Sequence, residues 1–255
     1  MLKLIKYEFR KNRTGLMIML LIAVGLFLLA PLGAFLDKEG LIACSFVLLC
    51  FYGGAAYVYV LARGISAYSN ELKTRTGYLL MMVPRSTMSI LFSKLLFTLF
   101  FAVALLALSV LALVGVGGIM MREMYGARSL MDMLQLGLTQ LGMSLDMFEA
   151  TALFFVVEVL SSVLAVVSIA YLSATLSATV LQQGRMRGVV YTLIFLALFF
   201  GVSWLTDRFS PEMQELFRDM GSALRAASPV LLMDLALTAA FTALSAVLLK
   251  RKVAL

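Results

Sequence analysis

Few side chains in this sequence have both the type and the spacing to do chemistry, and two of them are acids inside apolar runs. Glu158 lies about two turns into a long apolar segment, with Ser161 and Ser162 on its own helical face at i+3 and i+4. Asp234 lies five residues after Pro229, near the start of the last apolar segment. Acids inside a membrane mark a transport pathway or form hydrogen bonds between helices. Both alternatives stay open for Glu158, and an acid hydrogen-bonded near the membrane surface is favoured for Asp234.

Other reactive constellations are missing from the sequence. It contains no histidine, which excludes histidine-based zinc sites, Ser-His triads and histidine proton relays. It also contains no G-x-x-x-x-G-K-[ST] motif, so this chain does not bind ATP through a P-loop. Cys44 and Cys50 share one apolar run, where we expect buried thiols rather than a disulfide or a metal site. We therefore expect a protein that is not itself an enzyme and binds no cofactor.

Residues 70–94, NELKTRTGYLLMMVPRSTMSILFSK, are a polar interruption that still carries bulky apolar residues. Thr76 is suited to cap a short helix, Gly77 permits the turn before it, and Pro84 closes it. Residues 78–83 would be costly to leave in water. They therefore indicate contact with a protein partner or, alternatively, a loop helix that rests on the membrane.

The composition indicates that the chain is surrounded largely by lipid rather than by water. Of its 255 residues, 62% are hydrophobic and 14% are charged, with a mean hydropathy of +1.01. Soluble domains carry about 25% charged residues, so this chain could not cover a surface that faces water. We expect an all-α, polytopic membrane protein and no nucleic-acid partner, because a membrane explains the net charge of +7.

Six segments are long enough to cross the roughly 30 Å hydrocarbon core of a bilayer, which needs about 20 apolar residues. The whole chain, 1–255, then forms a single transmembrane domain. Its fourth segment is too long for one straight crossing, so we expect tilt, a break or an extension into water. The six predicted spans are about 16–36, 41–62, 95–120, 151–181, 189–206 and 229–249.

Loop charge predicts the sidedness. If the N-terminus is cytoplasmic, the inner segments carry 15 Lys and Arg residues and the outer segments carry 6. Cations on short loops favour the cytoplasmic side, so both termini and the loop 63–94 are expected inside. Residues 207–228, which read as a short amphipathic helix that opens at Pro211, are then on the outer side.

Residues 1–14 predict an amphipathic helix on the inner membrane surface. Leu2, Ile5 and Phe9 share one stripe at 100° per residue, and the cations form a neighbouring stripe that reaches anionic headgroups. A signal for topology alone is an equal alternative. The cations are Lys3, Lys6, Arg10 and Arg13.

This layout resembles the permease subunit of type-two ABC exporters, in the branch whose ATPase is a separate chain. A basic amphipathic start, six spans, a cytoplasmic loop after the second span and a helical outer loop before the last carry the resemblance over the whole chain. Its most specific part is the sequence of the loop. The matching positions are Glu71, Thr76-Gly77, Pro84-Arg85-Ser86 and Ser93-Lys94.

The resemblance implies that the loop is a coupling segment that contacts an ABC-type ATPase, which would hold ATP and Mg²⁺. It also implies a second permease copy, in a homodimer or a paralogous heterodimer, in the inner membrane of a prokaryote. The cargo would be a hydrophobic or amphipathic compound such as a lipid, a drug or a peptide antibiotic. The alternative function is an ion-coupled secondary transporter with Glu158 as its coupling acid. The implied contact residues are Glu71, Thr76, Gly77, Tyr78, Leu79, Met81, Met82, Pro84 and Arg85.

Overall fold

The structure, a computed structural model, is a bundle of long α-helices. It describes residues 2–73, 87–125, 144–180, 187–209 and 220–253, together with 132, 135 and 137–139. Side chains within a few residues of several helix ends lie outside this description. The six helices are α1 (Leu2–Phe35), α2 (Glu39–Lys73), α3 (Thr87–Tyr125), α4 (Leu145–Val180), α5 (Arg187–Phe209) and α6 (Met220–Val253).

Every one of these helices contains a stretch that is long and apolar enough to cross a membrane. This confirms the prediction of an all-α, multi-pass membrane protein with six spans, and no strand occurs among the residues that the structure describes. The candidate spans are Lys6–Phe35, Glu39–Ser69, Thr87–Glu123, Thr151–Thr179, Gly188–Arg208 and Ser228–Lys250.

All six helices are longer than the spans that the hydropathy pattern predicts. α2 continues to Lys73 and α3 already begins at Thr87, so residues 63–73 and 87–94 of the expected loop 63–94 are helical, and residues 74–86 lie outside the described residues. α4 runs without a break over 36 residues, about 54 Å at 1.5 Å per residue. α1 runs without a break from Leu2, so no boundary near residue 14 separates a surface helix from the first span. Hydropathy marks where a helix is apolar, whereas the helix itself continues as long as its buried face stays packed.

The start of α6 corrects a further expectation. The last predicted span begins at Pro229, but α6 begins at Met220 and contains Pro229. A proline inside a helix leaves the carbonyl four residues earlier without its backbone donor. Here the Ser228 hydroxyl donates to the Arg225 carbonyl at 2.9 Å, which satisfies that oxygen. Of the predicted outer helix 207–228, residues 207–209 therefore belong to α5 and 220–228 to α6, whereas 210–219 lie outside the described residues.

α1 and α2 form the antiparallel hairpin that the short turn after residue 36 predicts. α1 ends at Phe35, Asp37 takes a left-handed conformation with φ 49°, and α2 begins at Glu39. The Lys38 amide donates to the Gly33 carbonyl at 2.9 Å, closing the end of α1.

The six helices divide into two packed groups. α1, α2 and α3 pack on one another, α4 packs most extensively on α6, and α4 also contacts α2 and α3. The second half of α4 is the most enclosed part of the bundle, since residues 167–175 are all buried. α5 packs on α4 and has no buried residue between 188 and 208. Cys44 and Cys50 are exposed on the surface of α2, not buried as we expected.

Candidate functional site

The base of the bundle, defined as the end where α1 begins, α2 ends and α3 begins, carries the predicted coupling segment. Glu71 lies in the last turn of α2, where the backbone is described and the side chain is not. The remaining predicted contact residues lie outside the described residues: Thr76, Gly77, Tyr78, Leu79, Met81, Met82, Pro84 and Arg85.

A buried ion pair joins three helices at this base. The Lys94 ammonium group on α3 donates to the Glu8 carboxylate on α1 at 2.8 Å. It also donates to the backbone carbonyl of Ala67 on α2 at 3.1 Å. The Lys94 and Glu8 side chains are only 3% and 5% exposed, so water does not screen their charges. Lys94 is the last residue of the motif that carries the family resemblance. It links α2 and α3, the helices on either side of the predicted coupling segment, to the start of α1.

Further contacts hold the first turns of α1 against α2 and α3. Within α1 itself, the buried Asn12 side chain donates to the Glu8 backbone carbonyl at 3.1 Å. The Phe9 ring meets Phe97 of α3 edge-on, with 5.2 Å between the ring centroids. At Gly15 the backbone of α1 comes so close to the Tyr59 hydroxyl of α2 that an added Cβ atom would require the Tyr59 side chain to move. The start of α1 is therefore packed into the bundle rather than resting beside it.

The predicted surface cations of α1 take the opposite face of the helix. Lys6, Arg10 and Arg13 are exposed, as the polar stripe requires, whereas for Lys3 only the backbone is described. Of the predicted apolar stripe, Phe9 is half-buried, and the side chains of Leu2 and Ile5 lie outside the described residues. The buried face of the described part of α1 near its start is centred on Glu8, Asn12 and Gly15.

Hydroxyl groups tie α2 to α4 close to the same base. The Tyr68 and Thr175 hydroxyls are 2.8 Å apart, and the Tyr171 hydroxyl donates to the Gly64 carbonyl at 3.2 Å. The rings of Tyr68 and Tyr171 lie against each other with 4.6 Å between centroids. The other hydroxyls of this part of α4 donate to backbone carbonyls three or four residues earlier, so they serve close packing rather than line a pore: Ser168, Ser173, Ser177 and Thr179.

The two predicted membrane acids meet between α4 and α6. The Ser161 hydroxyl is 3.2 Å from the Asp234 carboxylate and 3.0 Å from the Glu158 carbonyl. Asp234 is buried and Glu158 half-buried. One carboxylate oxygen of Glu158 and the Thr238 hydroxyl oxygen are buried without a hydrogen-bond partner in the described part of the chain. The structure thus joins two acids that the sequence presents separately, into one polar site between two spans.

Sequence reasoning missed two parts of these sites. Glu8 received neither a role nor a partner from the sequence analysis. The available signal was the isolation of Glu8 among the five cations of residues 3–13, because an acid opposes the positive charge that is expected on the inner side. Tyr68 and Tyr171 gave no comparable signal, since tyrosine is common near membrane surfaces.

Comparisons with known proteins identified no relative of this chain. A scan against protein-family models, a search of curated proteins and a search of solved structures each returned no match.

Proposed function

We propose that this chain is the permease subunit of an ATP-driven ABC exporter and that a separate ATPase chain powers it. The observation that carries the proposal is the buried Lys94 at the base of the bundle. It connects α1, α2 and α3 where α2 and α3 lead into residues 74–86. A segment that receives force from a partner needs such a firm attachment, because a loose loop would move without moving the helices.

Three features of the sequence support the same function. The layout and the loop motif resemble this exporter class, and the six candidate spans fit its membrane subunit. The chain carries no P-loop motif, so ATP and Mg²⁺ would be bound by the partner. The positive-inside pattern puts residues 74–86 in the cytoplasm, where ATP is found.

The resemblance also implies two permease copies, with the substrate route between them. The exposed surface of α5 supports a second copy, because residues 188–208 include no buried position and expose large apolar side chains such as Leu193 and Phe200. The cargo class that fits this proposal is hydrophobic or amphipathic.

The test is co-purification of the full-length chain with a P-loop ATPase from the same cells. We expect Tyr78→Asp and Met82→Asp to abolish co-purification, because a carboxylate in an apolar contact must be desolvated without a partner. Leu36→Asp is the matched control: it places the same charge on an exposed apolar residue at the other end of the bundle and should leave binding intact. Binding that survives both loop substitutions would refute the assigned contact.

A second candidate, an ion-coupled secondary transporter, is favoured by one observation. Glu158 and Asp234 form a polar site between α4 and α6, and a Glu158 oxygen there lacks a partner among the described residues. Such acids are typical of ion and proton pathways. The two candidates differ in one measurement: transport into vesicles that contain this chain alone would depend on a proton or sodium gradient only for the secondary transporter.

A further inference from the structure

α1 presents two opposite columns of residues along its length, spaced by three, four or seven positions. The buried column, which faces α2 and α3, consists of Glu8, Asn12, Gly15, Met19, Ala23 and Ala30. The exposed column consists of Lys6, Arg10, Arg13, Met17, Leu21, Val24 and Leu28.

The chemistry of the exposed column changes once, between Arg13 and Met17. From Met17 to Leu28 the column is apolar and exposed within the span Lys6–Phe35, so it faces lipid tails. Because α1 is one uninterrupted helix, the cations that continue the column point in the same direction. These cations therefore point toward the surrounding lipid and away from the rest of the protein.

The depth of the cations fits lipid headgroups. The apolar run begins at Leu16, and at about 1.5 Å per residue Arg13 lies roughly 5 Å beyond it, Arg10 roughly 9 Å and Lys6 roughly 15 Å. The headgroup layer occupies about 5–8 Å on each side of the hydrocarbon core. Long cationic side chains can bend toward it, so all three charges come within about one Debye length of the phosphates.

The buried ion pair fixes which way these cations point. Glu8 lies two positions after Lys6 and two before Arg10, so it faces away from both on the helix. As long as its carboxylate holds Lys94 at 2.8 Å, the first turns of α1 cannot rotate, and the cationic face stays turned outward.

We propose that Lys6, Arg10 and Arg13 form a binding surface for anionic phospholipid headgroups, and that the Glu8–Lys94 ion pair orients this surface. The proposal does not depend on an ATPase partner. Each Lys or Arg near an anionic surface strengthens binding about fivefold, so the three cations together account for roughly a hundredfold preference over a zwitterionic lipid.

The experiment uses the purified full-length chain in neutral detergent and titrates it with phosphatidylglycerol, phosphatidylcholine or inorganic phosphate. The readout is the rise in thermal unfolding temperature, which reports ligand binding to the folded state. We expect phosphatidylglycerol to act at far lower concentration than phosphatidylcholine. In the variant Lys6→Gln/Arg10→Gln/Arg13→Gln this preference should fall roughly a hundredfold.

The matched control is Lys38→Gln/Arg122→Gln/Arg208→Gln, which removes three exposed cations at the other end of the bundle and lowers the net charge equally. It should retain most of the preference. An equal loss in both triple variants, an unchanged preference in the first, or equal stabilisation by inorganic phosphate would overturn the lipid surface.

The role of the ion pair needs a separate variant. Glu8→Leu/Lys94→Met replaces a buried pair by apolar groups of similar size, a change that folded proteins often tolerate. We expect this double variant to fold, to exchange the amide hydrogens of residues 6–15 faster, and to prefer phosphatidylglycerol at least tenfold less. A double variant with the parental lipid preference would show that the pair does not orient the surface.

Discussion

Lys94 illustrates how one charged side chain can hold three helices in place inside an apolar bundle. Its ammonium group bonds a carboxylate of α1 and a backbone carbonyl of α2. Taking both charges out of water costs several kcal/mol per ion, so the intact pair adds little net stability compared with apolar side chains. What the pair provides is a direct link between the start of α1 and the two neighbouring helices.

Removal of only one partner should be far more damaging than removal of both. Lys94→Met leaves the Glu8 carboxylate buried and unpaired, and we expect it to lower the free energy of unfolding by about 3–5 kcal/mol. The double variant Glu8→Leu/Lys94→Met should recover most of that loss. The free energies of unfolding of both variants are measured by unfolding the protein in mixed micelles with an increasing fraction of denaturing detergent.

The exposed Lys250 supplies the control at this scale. Lys250→Met removes the same charge without burying anything and should change the free energy of unfolding by no more than about 0.5 kcal/mol. Effects of Glu8→Leu and Lys94→Met that simply add in the double variant would contradict a direct ion pair, since coupled residues are not additive.

At the scale of elements, close helix packing depends on a few glycines at crossing points. Gly64 of α2 lies where α3 and α4 both approach: a Cβ atom there would come within 2.8 Å of Thr98 and 3.0 Å of Val167. The same glycine offers its carbonyl to the Tyr171 hydroxyl. Without a large hydrophobic driving force between helices in lipid, such close contact is a main source of their attraction.

Gly64→Ala should therefore destabilise the bundle by about 1–3 kcal/mol, the usual cost of overpacking a filled site. Gly54→Ala in the same helix is the matched control, because nothing lies within 4 Å of its added methyl group. Alanine favours a helix over glycine by about 0.5–1 kcal/mol, so this control should be neutral or slightly stabilising. Equal losses of unfolding free energy in the two variants would show that the helices pack less closely around Gly64 than the structure shows.

The ends of the elements show the limit of sequence reasoning. Apolar runs revealed each span, because a bilayer demands long apolar stretches whatever the fold. Residues 63–73 look like a loop by hydropathy, but Ala67 and Tyr68 are buried and the helix continues through them. Helix continuation there depends on packing against α3 and α4, and a polar sequence does not reveal which of its faces will be covered.

At the scale of the whole molecule, the sequence predicts which residues are unusual but not which residues meet. Glu158 and Asp234 were each recognisable as acids in apolar surroundings, yet their common site arises from the packing of α4 on α6. Glu8 and Lys94 are separated by 86 positions, and either could have paired with several opposite charges. Pairing is a property of the tertiary arrangement, and the periodicity of a single helix contains no information about it.

The orientation of the whole molecule in the membrane can be tested directly. In a background of Cys44→Ala/Cys50→Ala, we expect Lys38→Cys and Arg122→Cys to react with a membrane-impermeant maleimide in intact cells. Tyr7→Cys, exposed at the base of the bundle, should react only after the cells are permeabilised. The reason is the charge asymmetry of 15 cations against 6, which predicts that the base lies on the inner side.

The reverse labelling pattern would have unequal consequences for the two proposals. It would put residues 74–86 outside the cell, where no ATPase could reach them with ATP, and the exporter function would fall. The lipid surface on α1 would survive, because it depends on the register of Lys6, Arg10 and Arg13 with the lipid-facing column and not on which leaflet they meet. A single labelling experiment thus distinguishes failure of the exporter function from failure of the lipid surface.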